Sequence, residues 1–244
     1  MSRTPTDRAR AETTWRTVVA GAVAFVTIAG LGACSGAFDG GPSSSPMNTV
    51  TLTPTEPPSI RVAVVGDSNT TGLGGTLDNG VATGQSWVAQ LQKPRFDVVG
   101  GWARDGASTA LMAQQVTPLP DIDVLVFMGG TNDPPQGISG TGTIENLRRI
   151  VEVVHPQHVV VSSVPPVQAL PGRAVLLNNE LRESALRSHW EYADPWAALR
   201  TSEAKWVHPY LRDGIHTTPA GYAVVGEALR SVIADAAERG GASY

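Results

Sequence analysis

The sequence predicts an α/β protein, a three-layer α/β/α sandwich around a mostly parallel five-stranded sheet. Short valine-rich runs recur along the chain with glycine or proline punctuation, and segments of helical spacing lie between them. The runs are continuously apolar rather than alternating. Such strands are buried on both faces, which a parallel sheet achieves when helices cover both of its sides.

Four runs carry the sheet: IRVAVVG (60–66), FDVVG (96–100), DVLVFMG (123–129) and HVVVSSV (158–164). EYADP (191–195) is a shorter fifth strand candidate. Helical spacing covers Ser86–Gln92, Ser108–Val116, Ile144–Val154 and Val175–Trp190. In the third of these, Ile144, Leu147, Ile150, Val151 and Val154 share one face. A last helix runs from Pro219 to Glu238, with Thr217 or Thr218 as its cap and proline in the first turn. Its residues Tyr222, Val225, Leu229 and Ile233 are spaced to face the core.

At 244 residues the chain is long enough for one well-cored domain with sequence to spare. A net charge of −4 and the absence of a basic stripe exclude an electrostatic case for binding nucleic acid. The extra sequence is N-terminal. Arg3, Arg8, Arg10 and Arg16 precede an uncharged apolar run at residues 17–33, the order of a secretory signal. An uncleaved transmembrane anchor is the other reading of a run this long. The run ends in Leu31-Gly32-Ala33-Cys34, which resembles the lipobox of bacterial lipoproteins. That resemblance implies cleavage before Cys34, lipidation of its sulfur, and anchoring to the outer face of the cytoplasmic membrane. As the single cysteine, Cys34 also excludes an internal disulfide framework. Residues 34–59 are dense in glycine, serine, threonine and proline and read as a flexible tether. A globular domain over 60–238 and a short tail over 239–244 complete the expected organisation.

Three fragments carry the chemistry. Gly66-Asp67-Ser68-Asn69 puts a serine directly after the first strand, and Gly129-Gly130-Thr131-Asn132-Asp133 puts an asparagine amide after the third. Asp213-Gly214-Ile215-His216 supplies an acid and a base just before the last helix. Open parallel sheets bind ligands at the carboxyl ends of their strands, so the first two fragments share one edge by topology alone. Serine, histidine, aspartate and a neutral donor are the groups that acyl transfer through a serine ester requires. Each fragment taken singly is also ordinary turn chemistry.

In order and spacing the set resembles the SGNH (GDSL-type) hydrolase family, over about 60–238. The matching blocks are Gly66-Asp67-Ser68, Gly106, Gly130-Thr131-Asn132-Asp133 and Asp213-Gly214-Ile215-His216. The resemblance implies a flavodoxin-like sandwich and a hydrolase needing no metal or cofactor. It implies Ser68 as nucleophile, His216 as general base and acid, and Asp213 as the group orienting the histidine. The oxyanion would be met by the Ser68 and Gly106 amides and the Asn132 side chain. Two departures stand out: Asn69 replaces the leucine of GDSL, and the second block, WARDGAST, lacks its usual asparagine, which leaves Gly101 as an alternative to Gly106. Asp133 is read as capping or bracing the loop behind Asn132.

Thr70–Gly84 contains five glycines and reads as a mobile loop beside Ser68. Trp206 and Tyr210 either wall a substrate pocket or belong to the core. With no long apolar insertion to form an acyl tunnel, the expectation tilts to a short acyl group, such as acetyl, on a cell-envelope glycan. Lipase, lysophospholipase or thioesterase action on longer chains is a second reading. A non-catalytic envelope binding or scaffold lipoprotein is a third.

Overall fold

The alternation of neighbouring residues along the first strand sorts the core into two layers. In β1 (Ile60–Gly66), Val62 and Val64 pack to one side of the sheet, while Ala63 and Val65 pack to the other. The computed structural model describes residues 58–74, 76–78 and 85–240. The expected signal, the lipobox at Cys34 and nearly all of the tether lie outside the described residues.

After β1 come α1 (Ser68–Thr71), β2 (Thr76–Asp78), β3 (Phe96–Arg104), α2 (Thr109–Gln115) and β4 (Val124–Met128). The chain continues through α3 (Gly140–Val154), β5 (His158–Ser162), α4 (Pro171–Arg187), β6 (Glu191–Ala193) and α5 (Pro219–Gly240). The sheet order is β2-β3-β1-β4-β5-β6. All pairings are parallel except the β2–β3 edge. Leaving β2 aside, the five parallel strands follow the flavodoxin-like 2-1-3-4-5 order, whose switch point lies between the first and third strands. Here those are β1 and β4, the strands that lead into Ser68 and Asn132.

Helices cover both faces, completing the sandwich. Val124, Val126 and Val160 join Val62 and Val64 under Tyr222, Val225, Leu229 and Ile233 of α5. Leu125, Phe127, Val159 and Val161 pack on the other face against Met112 of α2, Leu147 and Ile150 of α3, and Leu181 of α4.

All five expected strands form, and the differences are local. β2 is a sixth strand inside the segment expected to be a loop, and it pairs with the extension of β3 to Arg104. The expected helix at Ser86–Gln92 is a single 3₁₀ turn, Trp87–Gln90, capped by the Ser86 hydroxyl. α3 begins at Gly140 because the Ser139 hydroxyl accepts the Gly142 amide and caps a glycine- and threonine-rich first turn. α4 begins at Pro171, a residue suited to the first helical position. α5 reaches Gly240, so it includes the first residues assigned to the tail. Its cap is Thr218, whose hydroxyl accepts the Gly221 amide at 3.4 Å.

Candidate active site

The turn from β1 into α1 places Ser68. Asp67, in extended conformation, caps α1 by accepting the Asn69 amide at 2.9 Å. Gly66 makes so abrupt a turn possible: a Cβ there would lie 2.0 Å from Thr70 Oγ1 and 2.7 Å from the Met128 carbonyl. As the first helical residue, Ser68 has an amide with no intrahelical acceptor. The GDSN departure is accommodated internally. Asn69 is fully buried, and its side-chain oxygen accepts the Tyr222 hydroxyl of α5 at 3.3 Å.

Asp213 and His216 occupy a tight hairpin closed by the Leu211–Thr217 bridge and by the Arg212 amide bonding to the His216 carbonyl. Asp213 Oδ1 accepts the amides of Ile215 at 3.2 Å and His216 at 2.9 Å. His216 Nδ1 lies 2.8 Å from Asp213 Oδ2, and His216 Nε2 lies 2.8 Å from Ser68 Oγ. Burial works against the charged Asp213 carboxyl, but hydrogen bonds from the His216 ring, the His216 amide and the Ile215 amide outweigh it. They hold it below the usual carboxylate range, so it is ionised at neutral pH and can only accept. The ring proton must therefore sit on Nδ1, leaving the Nε2 lone pair for the serine hydroxyl. Chemically, this arrangement can withdraw a proton from Ser68 and return it to a leaving group.

The loops carrying Gly106 and Asn132 are fastened together. Asn132 Nδ2 donates to the Ala107 carbonyl at 3.0 Å, and Gln136 Nε2 donates to the Gly106 carbonyl at 3.1 Å. Beneath them the buried Asp133 carboxylate accepts the Thr109 amide at 2.8 Å and the Thr109 and Thr143 hydroxyls at 2.5 Å each. Asp133 thus braces both loops, including the one behind Asn132. Asp105 adds a latch to α1, which carries Ser68: its Oδ1 accepts the Thr71 hydroxyl, and its Oδ2 accepts the Gly74 amide at 2.8 Å.

The model of the GDSL-like Lipase/Acylhydrolase family matches residues 64–224, more than half of the chain. The chain belongs to this family. Among solved structures, it is similar to a member of the lipolytic G-D-S-L family from Veillonella parvula, at 20% identity over 71% of this chain and 98% of that one, with a TM-score of 0.56. A GDSL-like lipase from Bacteroides thetaiotaomicron is similar at 16% identity over 72% and 88%, with a TM-score of 0.56. A catalytic mutant of an acetylxylan esterase from Geobacillus stearothermophilus is similar at 15% identity over 73% and 96%, with a TM-score of 0.55. At these identities the likeness is one of fold. No curated protein sequence matches.

Within this GDSL-like acylhydrolase, the two candidate glycines of the second block stand in different settings. Gly101 lies inside β3, where a Cβ would sit 1.8 Å from the Val64 carbonyl, so its role is strand packing. Gly106 stands on the exposed loop after β3 at φ +72°, with open space where a Cβ would be. Trp206 belongs to the core: it is 5% exposed, packs edge-on against Trp196 and donates to the Gly214 carbonyl at 3.2 Å. It therefore supports the Asp213–His216 hairpin from below rather than walling a pocket. Tyr210 is half-buried against the same cluster, and its carbonyl accepts the Thr217 hydroxyl. Among the described residues no group of three or more His, Cys, Asp or Glu side chains could hold a metal ion.

Asp67 is a second carboxyl close to His216, fully buried next to Ser68. Burial pushes its pKa up to about 6, against the opposing pull of hydrogen bonds from the Asn69 amide and the Thr131 side chain. The folded protein then holds a proton between pH 4 and 6 that the unfolded chain has released. Stability from this group therefore falls as pH rises through that window, by roughly 3 kcal/mol in all. Asp67→Asn keeps a capping oxygen and removes the titration. Urea denaturation from pH 4 to 8 is expected to show the variant gaining stability over the parent as pH rises. An identical pH slope in the two proteins would assign that slope to another group.

Proposed function

We propose that this chain is an exported serine esterase that hydrolyses carboxylic esters through Ser68, His216 and Asp213. The observation that supports it most strongly is the unbroken relay from Asp213 Oδ2 through the imidazole to Ser68 Oγ, with 2.8 Å at each contact. Ser68 Oγ attacks the ester carbonyl carbon while its proton passes to His216 Nε2, and the carbonyl electron pair moves onto oxygen. The Ser68 and Gly106 amides and the Asn132 side chain meet that oxyanion. Each such donor stabilises the transition state by about 3 kcal/mol. Collapse of the intermediate breaks the bond to the alcohol oxygen, which takes the proton from His216. Water then attacks the acyl-enzyme by the same base, releasing the acid and restoring the serine hydroxyl. Asp213 stabilises the imidazolium in both halves.

A covalent acyl-enzyme has a kinetic signature. With an aryl acetate, the purified protein is expected to release phenolate in a burst approaching one equivalent per chain, followed by slower turnover. No release from any carboxylic ester would overturn the reading in favour of a non-catalytic envelope protein.

The basic segment, the apolar run and the residues Leu31–Cys34 support export and lipidation at Cys34, with the enzyme held on the outer face of the cytoplasmic membrane. Among the described residues no helix is long and apolar enough to cross a membrane. Cys34→Ser is expected to change the mass of the mature protein, by loss of the acyl groups and of cleavage before residue 34. A mature mass and a membrane association both unchanged in Cys34→Ser would overturn the lipidation.

A further inference from the structure

We propose that Asp105 is a positioning residue, which sets the spacing between the Ser68 and Gly106 amides by tying the Gly106 turn to α1. This role rests on the esterase reading above and deepens it.

Arg104 to Ala107 form a turn after β3, closed by the Ala107 amide on the Arg104 carbonyl at 3.2 Å. Its third residue, Gly106, has φ +72°, whereas its second, Asp105, is not left-handed. That combination is a type II turn, which requires a residue able to take positive φ at the third position. The closing bond bypasses the middle peptide, and among the described residues nothing accepts the Gly106 amide. A backbone N–H seeks an acceptor, so this one is free to donate to an oxyanion.

The turn is exposed and is held from two directions. Gln136 and Asn132 tie it to the loop after β4 through the Gly106 and Ala107 carbonyls. Asp105 ties it to the segment that carries Ser68. Its Oδ1 accepts the hydroxyl of Thr71, the last residue of α1, and its Oδ2 accepts the Gly74 amide at 2.8 Å. Bonds to a carboxylate are among the stronger ones. The Thr71 hydroxyl accepts the Leu73 amide at 3.3 Å, and the Gly72 amide returns to the Ser68 carbonyl at 3.1 Å. Arg104 lies over the Trp102 ring, 5.4 Å from its centre, while both Asp105 oxygens reach across to the other segment.

One carboxylate therefore joins the two segments whose amides must meet the same oxygen. An oxyanion donor is useful only within about 3 Å of that oxygen, so a small drift of the turn forfeits it. Without Asp105 the turn would follow the β4 loop alone.

The test compares the parent with Asp105→Ala, Asp105→Asn and Thr71→Val. It measures kcat and KM on an aryl acetate, affinity for an arylboronic acid, and thermal unfolding. A boronate on the serine resembles the tetrahedral intermediate, so it reports the oxyanion donors apart from substrate binding. In Asp105→Ala, kcat is expected to fall between about tenfold and a hundredfold, approaching the loss of one donor. KM should hold, because the affected bond is made in the transition state. Boronate affinity should weaken by a similar factor. Asp105→Asn and Thr71→Val each spare one of the two bonds and should fall in between. Adding Thr71→Val to Asp105→Ala should cost no more than about twofold further, since the shared bond is already gone. A lower Tm with kcat and boronate affinity unchanged in Asp105→Ala would make Asp105 merely structural. That result would overturn its role and leave the esterase reading intact. A parent that turns over no ester would overturn the esterase reading and the role of Asp105 with it.

Discussion

Replacing Ser68 by alanine is expected to lower kcat on an activated aryl ester by about a millionfold, and His216→Ala by about as much. Combining the two should cost little more than either alone. The reason lies in the relay: the 2.8 Å contact between Ser68 Oγ and His216 Nε2 is useful only when both ends exist. Without the hydroxyl the imidazole has no nucleophile to deprotonate. Without the imidazole the hydroxyl stays protonated and weakly nucleophilic. Folding should be spared in Ser68→Ala, because the bonds that shape α1 run through the Ser68 carbonyl and the Asp67 side chain. Thermal unfolding is therefore the control, and an unchanged Tm with lost turnover places the effect in the chemistry. Two single variants that each retain turnover, with losses that multiply in the double, would mean that they do not act as one unit.

Asp213→Asn is expected to lower kcat by about ten-thousandfold, a smaller loss that is more diagnostic of mechanism. Asparagine keeps an oxygen that can accept the Ile215 and His216 amides, so the hairpin turn is preserved. The group facing His216 Nδ1 then becomes an amide nitrogen, which donates. The ring answers by carrying its proton on Nε2, and the lone pair that Ser68 needs is gone. The carboxylate that stabilises the imidazolium is lost as well. Asp213→Ala should be similarly inactive but less stable, since it also leaves two hairpin amides without their acceptor. Full activity in Asp213→Asn would show that Asp213 only shapes the turn.

Much of this was legible in the sequence, for reasons that can be located. Continuous valine runs define buried parallel strands, and strand order then brings Ser68 and Asn132 to one edge without any motif. Asp213 and His216 are legible because they are three residues apart and precede a well-signalled helix. What the sequence hides is contact between distant residues. Asp133 braces the Gly106 and Asn132 loops through Thr109 and Thr143, 24 and 10 residues away, and nothing local in either threonine announces that task. Gln136 and Asp105 fasten neighbouring loops in the same way. The β2 strand is masked by surrounding glycines, whose permissive backbones read as loop. Trp206 shows the converse ambiguity. An aromatic beside a catalytic hairpin suits a pocket wall or a core prop, and only its burial against Trp196 settles which.

The most direct test of the central claim is the mass of the protein after exposure to a fluorophosphonate, followed by peptide mapping. The account predicts a single adduct per chain, carried on Ser68, absent from Ser68→Ala and strongly slowed in His216→Ala. An adduct on another residue, or labelling that persists in Ser68→Ala, would contradict it.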